Sequence, residues 1–297
     1  TADADDGEQT GFRVYRRGVA VIALCAVYLT VGWFNAHNVE RTHYELTTDK
    51  ELPGGSLRIA HIADSHIGTT FDGEGFGEYL EVIQAENPDV LLITGDLIDD
   101  STPREEMLAA CRQFSRISTT YGIYFVYGNH DKGYGRHGYD ANELEAELAA
   151  NGVTVMEDDV VQITDSVSII GRRDRDDSRR REFVGEGAGT ERMSMGEITQ
   201  DIAPETYTVV LDHQPNDYDA QAEAGVDLVL SGHTHGGQLI PLGPIGRIIG
   251  ANDRTYGHER RDSTDFIVTS GISDWEIDFK TGTKSEYVII DITQENE

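Results

Sequence analysis

Histidine and aspartate recur in four short segments of this chain: Asp64-Ser65-His66, Gly95-Asp96-Leu97-Ile98-Asp99, Gly128-Asn129-His130-Asp131 and Gly232-His233-Thr234-His235, with a lone His213 between the last two. Together they offer carboxylate oxygens, imidazole nitrogens and an amide oxygen, a donor set suited to holding two divalent metal ions side by side. The chemistry this implies is metal-assisted hydrolysis. A single Asp-x-His means little, because surface His and Asp are common. Four such segments in order, each behind an apolar run, mean much more.

Those runs are the elements that must position the donors. A strand is expected over residues 42–48, and Pro53-Gly54-Gly55 turns the chain into a strand over 57–63 that delivers Asp64. Residues 78–86 read as a helix, 90–94 as a buried strand, 103–118 as a helix with proline in its first turn, 123–127 as a strand and 143–150 as a helix ending at Asn151-Gly152. This alternation predicts an α/β core with reactive residues on loops at strand ends. Residues 153–156, 160–163 and 167–170 then read as a meander of three short strands. Strands over 207–211 and 226–230 lead to His213 and His233, with a helix near 219–224 between them, and strands over 266–269 and 287–292 close the chain. A strand ending in Asp-x-His can aim both side chains at one point, because residues two apart share a face. Gly95, Gly128 and Gly232 permit the sharp turns that bring a loop close to a metal.

The length of 297 residues and a hydrophobic share of 38% allow one large domain with a real core, and motifs spread from Asp64 to His235 must converge within it. Acidic residues outnumber basic ones 54 to 24, and the net charge of −30 argues against a nucleic-acid partner, since phosphate backbones need clustered Lys and Arg. Lysine occurs only at Lys50, Lys132, Lys280 and Lys284. Many carboxylates with little lysine match a halophilic surface, in which salt screens the mutual repulsion of the acids; an ordinary acidic surface is the plainer alternative. Cys25 lies in an apolar run and Cys111 in an expected helix, so no disulfide or zinc site is expected.

The N-terminal region divides by composition. Residues 1–12 form a polar, acidic tail with nothing to bury, and disorder is expected there. Arg13, Arg16 and Arg17 precede an uncharged stretch over 18–34 that closes on Trp33-Phe34. As a helix it spans about 26 Å, within the range of membrane helices, with the aromatic pair at the interface. A signal anchor over 13–38 is expected, because no small-x-small cleavage site follows Phe34. A cleaved twin-arginine signal is the second reading and a buried core helix the third. Three arginines before the helix against Arg41 after it place the following domain, residues 39–297, outside a single-pass cell-membrane anchor.

With Leu211-Asp212-His213-Gln214-Pro215 and the longer run from Leu230 to Gln238 added, the motif set resembles the calcineurin-like metallophosphoesterases, and among them the YkuE-like, often membrane-associated branch. The likeness runs from about Val39 to the end; it is specific for the family and only weakly so for substrate. It implies a four-layer α/β/β/α sandwich of two mixed sheets. It also implies that Asp64, His66 and His235 bind one metal, that Asn129, His213 and His233 bind the other, and that Asp96 bridges both. The ions would be manganese, iron or zinc, and a hydroxide shared by them would attack phosphorus in line. His130 would protonate the leaving oxygen with Asp131 orienting its ring, and Asp99 would position a ligand or cap the following turn.

Ser65 stands where a larger apolar residue is frequent, with its side chain expected on the opposite face, and no G-x-S-x-G elbow makes it a nucleophile. His37, His43, His61, His137 and His258 are expected in packing or surface roles. The arginine-rich segment 172–192 is either a phosphate clamp led by Arg172 and Arg173 or a solvated loop in which Arg and Asp neutralise each other. The glycines and prolines after His233 are expected to form a rigid rim. A hydrolase of phosphomonoesters or phosphodiesters, small or lipid-linked or nucleotide-sugar, acting as a monomer at the outer membrane face, is the favoured reading. A non-catalytic metal-binding scaffold of the same fold is the alternative.

Overall fold

A computed structural model describes residues 6–132, 138–176, 192–241, 243 and 245–295. Along the chain come α1 (Asp6–His37), β1 (Glu40–Thr48), β2 (Ser56–Ile62), α2 (Gly73–Ala85), β3 (Val90–Thr94), α3 (Arg104–Gln113), β4 (Ile123–Val126), α4 (Ala141–Ala150) and β5 (Val153–Met156). Then follow β6 (Asp159–Thr164), β7 (Val167–Gly171), α5 (Met195–Thr199), β8 (Tyr207–Leu211), α6 (Tyr218–Glu223), β9 (Leu228–Ser231), α7 (Ile245–Ile248), β10 (Gly257–Arg261), β11 (Thr264–Val268) and β12 (Glu286–Gln294).

Among the described residues the strands form two six-stranded sheets, ordered β1-β12-β2-β3-β4-β5 and β10-β11-β9-β8-β7-β6. Both are mixed: β2 to β5 run parallel in the first sheet and β7, β8, β9 and β11 in the second, with β12 antiparallel to β2, β6 to β7 and β10 to β11. Three apolar clusters make four layers of the two sheets. Leu57, Ile59, Leu92 and Val126 of the first sheet meet Ile169, Val209, Leu211 and Leu230 of the second. Phe76, Leu80, Met107, Phe114 and Leu144 cover the outer face of the first sheet, and Met195, Ile198 and Tyr218 cover that of the second. The central strands are apolar throughout because both of their faces are buried.

Local chemistry moves several boundaries. α2 starts at Gly73, ahead of the expected 78, because the Asp72 carboxylate caps it by accepting from Gly75 N at 2.7 Å. Asp140 does the same for α4 through Glu143 N at 3.0 Å. The expected meander is corrected: β5 is the edge of the first sheet, whereas β6 and β7 belong to the second, so the chain changes sheets between Met156 and Asp159. β10 is an additional strand that its sequence, Gly-His-Glu-Arg-Arg, conceals, since a half-exposed edge strand needs no apolar alternation.

Helix α1 begins at Asp6, inside the stretch expected to be disordered, and residues 1–5 lie outside the described ones. Arg16–His37 is long and apolar enough to cross a membrane. Its last turns dock on the folded domain. Lys280 N donates to Gly32 O at 3.0 Å and Ser285 N to Asn35 O at 2.9 Å, while the Phe279 ring packs so closely that a Cβ on Gly32 would sit 2.3 Å from it. All four lysines are ion-paired: Lys50 with Asp227 at 2.8 Å, Lys132 with Glu157, Lys280 with Asp274 at 3.0 Å and Lys284 with Glu40 at 2.7 Å.

Candidate metal centre

The C-terminal ends of β2, β3 and β4 in one sheet and of β8 and β9 in the other meet at one edge of the sandwich, and every motif segment lies there. The loops after β2 and β3 run side by side, with Asp64 N donating to Gly95 O at 3.0 Å, His66 N to Asp96 O at 3.1 Å and Ile67 N to Leu97 O at 3.1 Å. Neither loop is extended. Asp64, His66, Asp96, His233 and His235 have φ of 55°, 37°, 53°, 69° and 48°, so left-handed turns, not strand alternation, aim Asp64 and His66 inward. Ser65 is buried between them. Glycine is required where backbones close in: a Cβ on Gly128 would lie 2.2 Å from Asp96 Oδ1, and one on Gly232 would lie 2.6 Å from Asp64 Oδ2.

Two groups of donors converge. In Asp64, His66 and His235, and again in Asp96, His213 and His233, the candidate ligand atoms lie within 4.8 Å of one another. His66 Nε2 faces His235 Nε2 at 3.2 Å. Asn129 Oδ1 joins the second group, 3.0 Å from His213 Nε2 and 2.8 Å from His233 Nδ1. Asp96 stands between the groups, its Oδ2 3.1 Å from His213 Nε2 and 3.8 Å from His66 Nε2. Both Asp64 oxygens accept from His233 N at 3.0 Å, and His213 Nδ1–H donates to Thr94 O at 2.7 Å, which leaves Nε2 to face the centre. A cleft of about 380 Å³ opens over these atoms, lined also by His130, Gln238 and Trp275.

Electrostatically this is a buried acidic well. Burial pushes the Asp64 carboxyl up to about 7, whereas Asp96, despite burial, is held well below the usual range by the His213 imidazole beside it. Burial lowers His66 and His233 to about 4 and His235 well below its ordinary value, so these imidazoles are neutral, as metal ligation requires. His213 is the exception: despite burial, Asp96 beside it raises it well above its ordinary value, and a cation in that place would take over from its proton. Oxygen and nitrogen donors converging on two adjacent points fit two divalent cations.

The second layer departs from expectation in one residue. Asp131 does not orient the His130 ring: its carboxylate accepts from the backbone N–H of Gly128 and Asp96 at 2.7 Å, Leu97 at 2.8 Å and Ile98 at 3.2 Å, because a side chain one position on points away from its neighbour's. Asp99 takes the orienting position, with Oδ1 3.3 Å from His130 Nδ1 and Oδ2 3.7 Å from His66 Nδ1. Burial pulls the His130 pKa down, but Asp99, Asp96 and Asp100 more than offset it and raise it to about 9.

Arg172 is no phosphate clamp. It is 2% exposed, donates to Met193 O at 3.0 Å and lies among Asp158, Asp212 and Asp217, while Arg173 sits 3.6 Å from Asp158. Arg and Asp neutralise each other here, in the interior and not in solvent; residues 177–191 lie outside the described ones. His61 bonds Thr94 Oγ1 at 2.8 Å, His43 Asp291 at 2.9 Å and His258 Asp265 at 2.7 Å, and His37 lies 3.5 Å from Asp278, whereas His137 is outside the described residues.

Sequence reasoning missed Lys280. Fully buried, it donates to Ser270 O at 2.8 Å and Ser273 O at 3.1 Å, pinning the loop whose Ser273 N donates to Asp64 O. Its one signal was the rarity of lysine. Trp275, one of only two tryptophans, was missed as well; it faces His130 with ring centroids 6.1 Å apart.

Fold and centre together define the class: a two-sheet α/β sandwich of the metallophosphoesterase type with two adjacent groups of candidate metal ligands at its strand ends. The chain belongs to the calcineurin-like phosphoesterase family, whose pattern matches residues 57–237. It is 30% identical over 212 residues to an uncharacterized metallophosphoesterase of Aquifex aeolicus, covering 71% of this chain and 76% of the relative. It is 24% identical to the uncharacterized metallophosphoesterase YkuE of Bacillus subtilis (92% and 95% covered) and 27% identical to a zebrafish (Danio rerio) protein named transmembrane protein with metallophosphoesterase domain, of which it spans 63% (94% of this chain).

Proposed function

We propose that this chain is a dinuclear-metal-dependent phosphoesterase that hydrolyses a phosphomonoester or phosphodiester. The observation that carries this reading is the convergence of seven side chains, Asp64, His66, Asp96, Asn129, His213, His233 and His235, on two adjacent points with Asp96 between them. Two divalent ions, when bound, supply a water of lowered pKa and neutralise the charge that develops on phosphate oxygens. Asp64, His66 and His235 hold one ion and Asn129, His213 and His233 the other, and the Thr94 carbonyl fixes the ring of His213. His130, at the cleft wall and kept protonated near neutral pH by Asp99, delivers a proton to the departing oxygen.

The test is a panel of an aryl phosphomonoester, an aryl phosphodiester and pyrophosphate, assayed after chelation and after return of manganese, iron or zinc. Ester turnover that vanishes with chelator and returns with metal is the expected result. Two ions bound per chain with no turnover of any ester would overturn it in favour of a binding scaffold.

We infer further that α1 anchors the chain in the cell membrane, which its length and apolar run and the name of the zebrafish relative support, with the domain on the outer side, which the arginines before the helix support. A net charge of −30 supports a protein adapted to high salt. The melting temperature of the full chain is expected to rise as potassium chloride goes from millimolar to molar; an unchanged value removes that adaptation.

A further inference from the structure

Beside the metal centre lies a shelf of apolar side chains that the fold leaves in the open. Trp275, which lines the cleft, is 45% exposed and Ile277 48%. Ile240, two residues beyond Gln238 of the cleft wall, is 62% exposed. Single exposed apolar residues need no explanation; a group of them at the mouth of a cleft does.

What covers this shelf follows from how α1 is attached. Gln238, at the cleft wall, donates to the carbonyls of Trp275 at 3.0 Å and Ile277 at 3.2 Å and accepts from Trp275 N. Ile240 N donates to Thr281 Oγ1 at 3.0 Å, and that hydroxyl lies 3.3 Å from Tyr28 Oη on the helix. Phe279 contacts Tyr28 with ring centroids 5.6 Å apart, and Lys280 N bonds Gly32 O. The segment carrying Trp275 and Ile277 is therefore bonded to the last turns of α1, from Tyr28 to its end at His37, a stretch of about 14 Å. If α1 crosses a bilayer, its outer end lies at the headgroup boundary, and the shelf lies at that level too, within the ~5–10 Å depth to which interfacial apolar faces are buried.

We propose that this shelf sits in the outer interface of the bilayer that holds α1, and that the substrate is a lipid phosphoester whose acyl chains stay in the bilayer while its phosphate enters the cleft. This rests on the phosphoesterase and anchor readings above. In the reaction a water oxygen bonds phosphorus, the phosphorus–oxygen bond to the leaving group breaks, and the leaving oxygen takes a proton; phosphatidic acid and water give diacylglycerol and inorganic phosphate.

The full chain carrying Trp33→Phe, so that Trp275 is its one tryptophan, is reconstituted with manganese in zwitterionic phosphatidylcholine vesicles at high salt. Bromines placed near the headgroup end of the acyl chains are expected to quench Trp275 emission, and bromines at the bilayer centre much less. In the same vesicles, phosphatidic acid or phosphatidylglycerol is expected to be turned over faster than its water-soluble glycerol counterpart. Ile240→Asp and Ile277→Asp each are expected to cut turnover of the vesicle-borne ester about tenfold or more while an aryl phosphate is hydrolysed as before. Unquenched Trp275, or equal turnover of bilayer and soluble esters, overturns the proposal with the phosphoesterase reading intact. Absence of turnover of every ester, aryl phosphomonoester, aryl phosphodiester and lipid alike, in the metal-loaded chain overturns the phosphoesterase reading, and the substrate half of this proposal with it.

Discussion

Asp96→Ala is expected to abolish turnover and to disturb both halves of the metal centre at once. Its carboxylate stands between two donor groups, 3.1 Å from His213 Nε2 and 3.8 Å from His66 Nε2, and its second oxygen accepts from His130 N at 2.8 Å. On the proposed reading, removing it would take a ligand from both ions, and it takes away the bond that holds the His130 backbone. A fall in kcat of about 10³-fold or more is expected, the scale on which a preorganised electrostatic stabiliser acts. His235→Ala, in contrast, removes a donor from one group only. Elemental analysis distinguishes the two: fewer than one tightly held ion per chain for Asp96→Ala and close to one for His235→Ala. Two ions and an unchanged kcat in Asp96→Ala would remove the bridging role.

Asp131→Ala is expected to cost stability before it costs chemistry. Four buried backbone N–H groups, from Gly128, Asp96, Leu97 and Ile98, lose their acceptor together. At about 1–3 kcal/mol per stranded donor the loss is on the order of 4 kcal/mol or more. Denaturant titration followed by circular dichroism checks this. Had Asp131 acted by turning the His130 ring, the same variant would keep its midpoint and lose only kcat, so an unchanged midpoint counts against the clamp.

The donor segments were legible because each follows a run of apolar residues, and the strands over 90–94, 153–156 and 207–211 are where the sequence placed them. Other features were hidden for physical reasons. Asp131 adjoins His130 in sequence, yet neighbours point apart, so adjacency misled where the fold had put Asp99 beside the ring. Three short strands in a row look alike whichever sheet they join, and only packing decides that β5 parts from β6 and β7. Lys280 reads as a surface residue in a polar stretch; Asp274 and two serine carbonyls make its burial tolerable, and all three come from elsewhere in the loop.

The left-handed backbone at Asp64, His66, Asp96, His233 and His235 carries a thermodynamic meaning of its own. Each such conformation in a non-glycine residue holds about 1–3 kcal/mol of strain. The centre thus resembles a set of compressed springs kept shut by the sandwich around them. Cations that bind only the shut form take over part of that restraint. Metal supply would then govern how much of the chain survives folding and proteolysis as well as how fast it turns over, and scarcity would show first as a falling protein level.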